Sequence, residues 1–257
     1  MIRVENIKKS FGDLEVLKGI DLNFYKGKTN IIIGRSGAGK TVLLKLIVGL
    51  YPPTSGKIFY GDTDFLSLNA KQLRAIRMKV GMLFQQGALF DSMTIQENIR
   101  FPLDMFSNMT MKEKNIKVSE TLERVDLLNK EHLYPSEASG GMQKRVGIAR
   151  AIVLEPEYLF CDEPNSGLDP KTSILIDQLI SNITHERNIT TIINTHDMNS
   201  VMEIGENIAL LADGYLEWQG HKSEVLASEN EELHRFIFAS PFLKKLRNKA
   251  LGKPTED

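Results

Sequence analysis

The stretch GRSGAGKT, residues 34–41, follows a short apolar run and opens the helical pattern KTVLLKLIVGL. It fits G-x-x-x-x-G-K-[ST], in which glycines let backbone N–H groups surround a phosphate at a helix N-terminus. The pattern predicts a phosphate-binding loop formed by Gly34, Arg35, Ser36, Gly37, Ala38, Gly39, Lys40 and Thr41. Lys40 is expected to contact the β- and γ-phosphates of a nucleotide, and Thr41 to offer its hydroxyl to Mg²⁺. A glycine-rich turn with a chance lysine is the alternative, which the flanking strand and helix disfavour.

Polar residues also follow three predicted strands. The strand YLFCD ends at Asp162 and Glu163, the strand ITTIINT is followed by His196, and KVGMLF is followed by Gln85. Because the carboxyl ends of parallel strands share one edge of a sheet, we expect these side chains to lie near the phosphate loop.

Each of these strand-end residues has a predicted role. Asp162 suits Mg²⁺, through water, and Glu163 suits a general base that orients an attacking water. His196 is predicted to donate to a γ-phosphate, although a lone histidine there is more often an ordinary loop residue. Gln85 is predicted to approach the metal and the water, but Gln86 beside it makes spacing alone a weak guide.

A second candidate anion site lies at ASGGMQKR, residues 138–145. Ser139, Gly140 and Gly141 precede a helical pattern with basic residues in its first turns, so their hydroxyl and N–H groups are placed to hold an anion. One nucleotide needs only one phosphate loop, and the second site therefore needs a separate explanation.

Bulk properties restrict the function classes. The chain has 257 residues, 42% hydrophobic content and a formal net charge of −1, which disfavours a general nucleic-acid binder. The single Cys161 excludes an intramolecular disulfide and is typical of a reducing compartment. The N-terminus has no apolar signal core, and no apolar run reaches the length of a membrane span. These features predict a cytosolic protein whose membrane role, if any, acts through a partner.

Strands that alternate with helices predict an α/β fold with a largely parallel central sheet. The segments IRVENI, VLKGIDLNFY, KTNIIIG and KIFYG are predicted strands, with a turn over residues 52–56. Residues 66–137 read as a helical insertion, with helices at NAKQLRAIR and at MKEKNIKVSETLERVDLL and a long loop over residues 86–94. Thr110 is the predicted N-cap of the second helix.

The motifs together resemble the nucleotide-binding subunit of ABC transporters. GRSGAGKT, Gln85, ASGGMQ, YLFCDE, SGLD and His196 stand in that family's order. The resemblance implies a P-loop ATPase domain over residues 1–238, with an antiparallel N-terminal β subdomain, a helical signature subdomain near residues 87–155 and a tail over residues 239–257. It also implies ATP and Mg²⁺ as ligands, Phe11 stacking on adenine, and Asp169 in the loop that links two active sites.

In that family two copies pack head-to-tail. The resemblance implies that Ser139, Gly140 and Gly141 of one copy close on the ATP of the other, and that the pair is attached to a multi-span membrane permease. The second anion site would then belong to a second chain.

A narrower resemblance follows from GMLFQQGALFDSMTIQENIRFPL and SGGMQKR. These segments are similar to the MlaF-type ATPase of MCE-associated phospholipid transporters of diderm bacteria. That resemblance implies an MlaE-like permease, an MlaD-like MCE-domain protein, a small regulatory subunit and a place on the cytoplasmic face of the inner membrane. Two residues depart from the broader family: Asn165 replaces its usual threonine, and Ala138 its usual leucine.

Other interpretations of the sequence are a soluble ABC ATPase acting on ribosomes or DNA, an ABC importer or exporter for another substrate, and a P-loop kinase. Soluble relatives usually carry two cassettes or a coiled-coil insertion, and a kinase would not explain ASGGMQ. The segment FLKKLRNKAL in the tail predicts either a solvated terminus or a short amphipathic docking helix.

Overall fold

The computed structural model describes residues 1–225 and 227–237, which contain ten strands, nine α-helices and two short 3-10 helices, Phe65–Ser67 and Pro135–Glu137. The strands are β1 Ile2–Phe11, β2 Leu14–Phe24, β3 Thr29–Ile33, β4 Ser55–Tyr60, β5 Thr63–Asp64, β6 Val80–Leu83, β7 Tyr158–Asp162, β8 Thr190–Asn194, β9 Asn207–Ala212 and β10 Tyr215–Gly220. The helices are α1 Lys40–Val48, α2 Ala70–Arg77, α3 Ile95–Phe106, α4 Met111–Arg124, α5 Gly140–Ile152, α6 Pro170–Glu186, α7 Met198–Ile204, α8 Lys222–Val225 and α9 Glu231–Ile237. The tail, residues 239–257, lies outside the described residues, so both predictions for it stay open.

The strands form two sheets. The central sheet has the order β10-β9-β3-β8-β7-β6, and all its pairings are parallel except β9 with β10. The other sheet, β2-β1-β4-β5, is antiparallel. The predicted α/β fold with an antiparallel β subdomain is therefore confirmed. The turn predicted at residues 52–56 is too long, because Ser55 already pairs with Lys8 in the sheet.

The central strand β3 divides the core into two apolar clusters. Ile31 and Ile33 pack with α3, α4, α5 and α6 on one face, whereas Ile32 packs with α1 and the antiparallel sheet on the other. Side chains of successive strand residues point to opposite faces, so an all-apolar strand buried on both sides joins the two clusters. This burial fixes the carboxyl end of β3, where the phosphate loop begins.

The predicted long loop is followed by a helix that the sequence did not predict. Thr94 caps α3, because its Oγ1 accepts a hydrogen bond from the Glu97 N–H. In turn, Glu97 Oε2 accepts a hydrogen bond from the Thr94 N–H. Pro102 lies inside α3, where its missing N–H ordinarily disfavours a helix. Burial of Ile99 and Leu103 against α5 outweighs that cost.

The other helices of this region follow the sequence prediction. Thr110 caps α4 through Glu113, as expected, and α5 begins at Gly140 directly after Ser139. Within residues 1–225 and 227–237, no helix combines the length and apolar character needed to cross a membrane.

Candidate active site

The backbone of the phosphate loop is shaped by glycines at positions that no other residue fits. Gly34 has φ 148°, and a Cβ there would lie 2.2 Å from the carbonyl oxygen of Leu211. Gly39 has φ 97°, and a Cβ there would lie 2.6 Å from Leu17 Cδ2. The loop therefore packs directly against the sheets on either side, and it leads into the N-terminus of α1, which attracts a phosphate.

Lys40 is folded over this loop. Its Nζ donates to the carbonyl oxygens of Gly34 at 2.8 Å and Arg35 at 3.2 Å, and the residue is buried. Burial lowers the pKa of Lys40, whereas the nearby Glu163 and Asp162 oppose that shift. The ammonium group thus lies at the centre of the loop, where it is placed to neutralise phosphate charge.

Thr41 connects the loop to the end of β7. Its Oγ1 donates to Asp162 Oδ1 at 3.1 Å, and Asn194 Nδ2 donates to the same oxygen at 3.2 Å. Asp162 and Asn194 are both buried. A hydroxyl and a carboxylate this close together supply the hard oxygen donors that Mg²⁺ prefers.

Glu163 and His196 meet at the same edge of the sheet. His196 Nδ1 lies 2.8 Å from Glu163 Oε2. Glu163 has φ 50°, an uncommon conformation for a residue with a side chain, and its N–H donates to the carbonyl of Asn194 at 2.9 Å. The chain turns sharply there, so consecutive acidic residues serve different positions: Asp162 faces Thr41 and Glu163 faces His196.

One cavity of about 580 Å³ contains most of the predicted catalytic residues. It is lined by Val16, residues 36–42, Gln85, Glu163 and His196. Gln85 lines it and Gln86 does not, which separates two neighbours that spacing could not distinguish.

The second anion site is a different pocket of the same chain. Ser139, Gly140 and Gly141 line it together with Asp169 and Arg145. Ser139 caps α5, with its Oγ accepting from the Met142 N–H at 3.3 Å. The structure therefore does not bring these residues to the phosphate loop within one copy.

Two other predicted nucleotide contacts also lie away from the phosphate-loop cavity. Asp169 caps α6: its Oδ1 accepts from the Thr172 N–H at 3.0 Å, and its Oδ2 accepts from the Thr172 hydroxyl. The hydrogen bonds from the Thr172 hydroxyl and N–H lower the pKa of Asp169. Phe11 is exposed and contacts Tyr51 edge-on, with ring centroids 5.8 Å apart. Phe11 is thus accessible on the surface, and its contact with adenine stays a prediction.

Residues 17–166 match the family described as ABC transporter, a span that includes the phosphate loop, Gln85, the Ser139 helix start and the acidic strand end. The chain belongs to the ABC transporter family. Members of this ATPase family bind ATP with Mg²⁺ and hydrolyse it, dimerise and partner with membrane permeases.

Relatives of known sequence and structure agree with this assignment. The chain is 38% identical over 236 residues to the probable ribonucleotide transport ATP-binding protein mkl of Mycobacterium leprae, covering 92% of this chain and 68% of that protein. It is 40% identical over 255 residues to the methionine import ATP-binding protein MetN of Carboxydothermus hydrogenoformans, covering 98% of this chain and 75% of that protein. The dimeric post-hydrolysis structure of the ATP-binding cassette MJ0796 bound to ADP and Pi matches with a TM-score of 0.79 and 33% identity, over 86% of this chain and 99% of that chain.

Two residues that contact the candidate site, Asn194 and Lys144, were not predicted from the sequence. Asn194 donates to Asp162, and Lys144 donates to the backbone around Gln85 and Glu163. Asn194 could have been found as the last polar residue of a buried strand. Lys144 gave no such signal, because a lysine in the second turn of a helix ordinarily faces solvent.

Proposed function

We propose that this ABC ATPase energises the transport of phospholipids between the inner and outer membranes of a diderm bacterium, from the cytoplasmic face of the inner membrane. The observation that carries the proposal is the segment GALFDSMT after Gln85, together with Met142 in the signature, because both match the MlaF-type ATPases. The proposed partners are a second copy of the chain, an MlaE-like permease, an MlaD-like MCE-domain protein and a small regulatory subunit, with no nucleic acid.

The proposed hydrolysis uses residues that line the phosphate-loop cavity. Lys40 and the N–H groups of the phosphate loop bind the β- and γ-phosphates of ATP. Glu163 accepts a proton from a water molecule whose oxygen bonds to the γ-phosphorus, the bond between the γ-phosphorus and the bridging oxygen breaks so that ADP leaves, and His196 donates a hydrogen bond to the γ-phosphate. Gln85 orients the water from the opposite side.

The donor set at the strand end fits a magnesium ion. Thr41 Oγ1 and Asp162 Oδ1, 3.1 Å apart, would hold it directly or through water, and Gln85 would approach it. When bound, Mg²⁺ supplies positive charge to the β- and γ-phosphate oxygens. Asn194 keeps the Asp162 carboxylate oriented toward Thr41.

The separation of the two anion sites supports a composite site. Ser139, Gly140 and Gly141 form an exposed helix N-terminus that the phosphate loop of the same copy does not face. A head-to-tail pair would bring this N-terminus onto the γ-phosphate held by the other copy, and two-fold symmetry makes both sites equivalent.

An apolar groove supplies the proposed docking site for the permease. The groove has a volume of about 700 Å³, an apolar wall that includes Phe90, Phe101 and Phe106, and a rim with Arg74 and Arg77. An amphipathic helix of the permease with an acidic residue would match this surface in both shape and charge.

The groove also connects to the MlaF-like segment. Ala88 and Phe90 of GALFDSMT line it, and Arg150 Nη1 donates to the carbonyl of Ala88 at 2.8 Å. The permease selects the substrate. Sequence features that distinguish ATPases of different transport systems are therefore expected where the ATPase contacts its permease. The distinctive segment lies on that proposed surface.

A second candidate is an importer of small polar solutes. The mkl and MetN relatives carry names for ribonucleotide transport and methionine import, and their identities to this chain are 38% and 40%. The phosphate site would be the same in both cases, so the partner proteins discriminate between the candidates.

The deciding experiment is purification of the tagged full-length chain from its native host, followed by identification of the bound proteins and transport assays on the complex. A permease together with an MCE-domain protein, and ATP-dependent transfer of labelled phospholipid between vesicles, would support lipid transport. A solute-binding protein and ATP-dependent uptake of methionine or a ribonucleotide would replace that proposal by the second candidate.

The docking surface has a matched pair of variants on α3. Phe106 lines the groove, whereas its exposed neighbour Met105 does not. Phe106→Asp is expected to reduce co-purification of the permease, and Met105→Asp to leave it unchanged. Equal loss in both variants would move the docking site away from the groove.

A further inference from the structure

Lys144 is a buried lysine that the hydrolysis scheme has not yet used. It lies in the second turn of α5, only 6% exposed. Its Nζ lies 2.5 Å from the carbonyl oxygen of Gln85, 3.3 Å from Ser166 Oγ and 3.4 Å from the carbonyl oxygen of Glu163. An ammonium group has three N–H donors, and here each has one acceptor.

The three acceptors belong to two separate segments. Gln85 follows β6, whereas Glu163 and Ser166 both lie in the loop between β7 and α6. Ser166 Oγ also donates to the carbonyl of Gln85, at 3.4 Å. One side chain from α5 therefore joins the backbone after β6, at Gln85, to the loop that carries the proposed general base and leads to Asp169.

Stability alone does not account for a cation in this position. Burial lowers the pKa of Lys144, opposed by Cys161 and Glu163, and within residues 1–225 and 227–237 no carboxylate forms an ion pair with it. Burying an ammonium group without an ion-pair partner in contact is unfavourable, and an apolar side chain of similar size would avoid that cost. The ammonium group of Lys144 donates its hydrogen bonds to backbone or side-chain oxygens of the loops after β6 and β7.

The contact with Glu163 acts on a strained residue. Glu163 has φ 50°, and its N–H is already held by the carbonyl of Asn194 at 2.9 Å. Lys144 holds its carbonyl from the other side. Fixing both sides of a residue in an uncommon conformation restricts the direction of its side chain, and a general base must keep such a direction.

Helix α5 links these contacts to the second anion site, because Ser139 caps it one and a half turns before Lys144. A shift of α5 when Ser139 meets a phosphate would move the Lys144 ammonium, and with it the backbones of Gln85 and Glu163. We propose that Lys144 is a positioning residue that sets Gln85 and Glu163 for hydrolysis according to the position of α5.

This inference rests on the roles proposed for Gln85 and Glu163. Its test compares kcat and KM for ATP in the full-length chain assembled with its partners, for wild type, Lys144→Met and Lys144→Arg. Lys144→Met is expected to lower kcat by about 10- to 100-fold with KM changed less than about twofold, because misplaced catalytic groups slow the chemical step more than binding. Lys144→Arg, which keeps the cationic donors, is expected to restore most of kcat.

The matched control is Lys114→Met. Lys114 has a side chain that is 13% exposed and pairs with Asp104 at 2.9 Å, away from the catalytic loops. It is expected to alter thermal stability without changing kcat. A Lys144→Met kcat within twofold of wild type, or an equal kcat loss in Lys114→Met, would overturn the inference. If Lys144→Met does not fold, Lys144→Ala, which removes the N–H donors with a smaller side chain, is held to the same thresholds.

A parallel Glu163→Gln measurement separates the two levels of the argument. An active Glu163→Gln protein would remove the proposed role of Glu163, and the positioning role with it. An inactive Glu163→Gln protein beside a fully active Lys144→Met protein would remove the role of Lys144 alone.

Discussion

His196 Nδ1 lies 2.8 Å from Glu163 Oε2, at the ends of the neighbouring parallel strands β8 and β7. The Glu163 side chain is 14% exposed and that of His196 67%, so the carboxylate is enclosed while the imidazole reaches outward. Each side chain limits the positions open to the other. This contact places the proposed general base and the proposed hydrogen-bond donor to the γ-phosphate on the same edge of the cavity, as the proposed hydrolysis requires.

Replacing Glu163 tests the general base. Glu163→Gln removes the proton acceptor and keeps the shape, so the rate of ATP hydrolysis should fall by about 100-fold or more while ATP still binds. The variant should also accumulate as an ATP-bound dimer, which size-exclusion chromatography of the assembled complex would detect. Glu157→Gln is the control, because Glu157 pairs with Lys79 at 2.8 Å just before the same strand. Comparable rates for the two variants would contradict the assignment.

Replacing Lys40 tests the phosphate loop. Lys40→Ala removes a buried ammonium whose hydrogen bonds to a phosphate would be charge-assisted, so ATP affinity should weaken about 10-fold or more. Fluorescence titration with a labelled ATP measures the change. Lys45→Ala in the same helix is the control, since Lys45 lies over the Tyr51 ring at 5.7 Å and away from the loop. Unchanged affinity in Lys40→Ala would remove the phosphate-loop assignment.

The sequence predicted the residues whose placement depends on local structure. A glycine-rich loop between strand and helix fixes Lys40 and Thr41 by itself, and strand ends fix Asp162 and Glu163. By contrast, the sequence prediction did not include α3, where Pro102 disfavours a helix and packing against α4 and α5 stabilises one. Asn194 and Lys144 were missed because their roles depend on neighbours from distant parts of the chain.

Asn165 shows the same limit in a residue that the sequence did single out. Replacement of the usual threonine was visible in DEPNSGLDP, but its consequence was not. In the structure its Nδ2 donates to Asp177 Oδ1 at 2.9 Å and to Ser200 Oγ at 3.0 Å. The amide thus joins the loop after β7 to α6 and α7, and it supports a buried carboxyl group.

That carboxyl group should make stability depend on pH. Burial raises the pKa of Asp177 to about 6, reinforced by Asp197 and Glu203 and opposed by the hydrogen bonds of Ser200 and Asn165. The folded chain therefore holds a proton that the unfolded chain has already released, so this contribution is full below about pH 4 and is lost as pH rises to about 6. The loss should be about 3 kcal/mol in the free energy of unfolding.

Asp177→Asn measures this contribution, because the amide does not titrate. Urea denaturation at a series of pH values measures the unfolding free energy of both proteins. As pH rises from about 4 to about 7, the wild type should lose about 3 kcal/mol relative to Asp177→Asn. A difference that does not change with pH for Asp177→Asn would contradict the raised pKa of the Asp177 carboxyl group.

The composite site is tested at Ser139 in a Glu163→Gln background, where the dimer should persist. Ser139 lines a pocket separate from the phosphate-loop cavity, so Ser139→Arg should leave ATP binding to each chain intact and abolish the ATP-bound dimer. The arginine in Ser139→Arg also removes the N-cap of α5, which costs about 1 kcal/mol of stability. Ser139→Ala loses the cap without adding bulk or charge, so it measures the effect of the lost cap by itself. Ser119→Arg on the exposed surface of α4 controls for added charge and should dimerise normally. If Ser139→Arg lost ATP binding itself, the two anion sites would act within one chain, and the head-to-tail pair would no longer be needed to explain the second one.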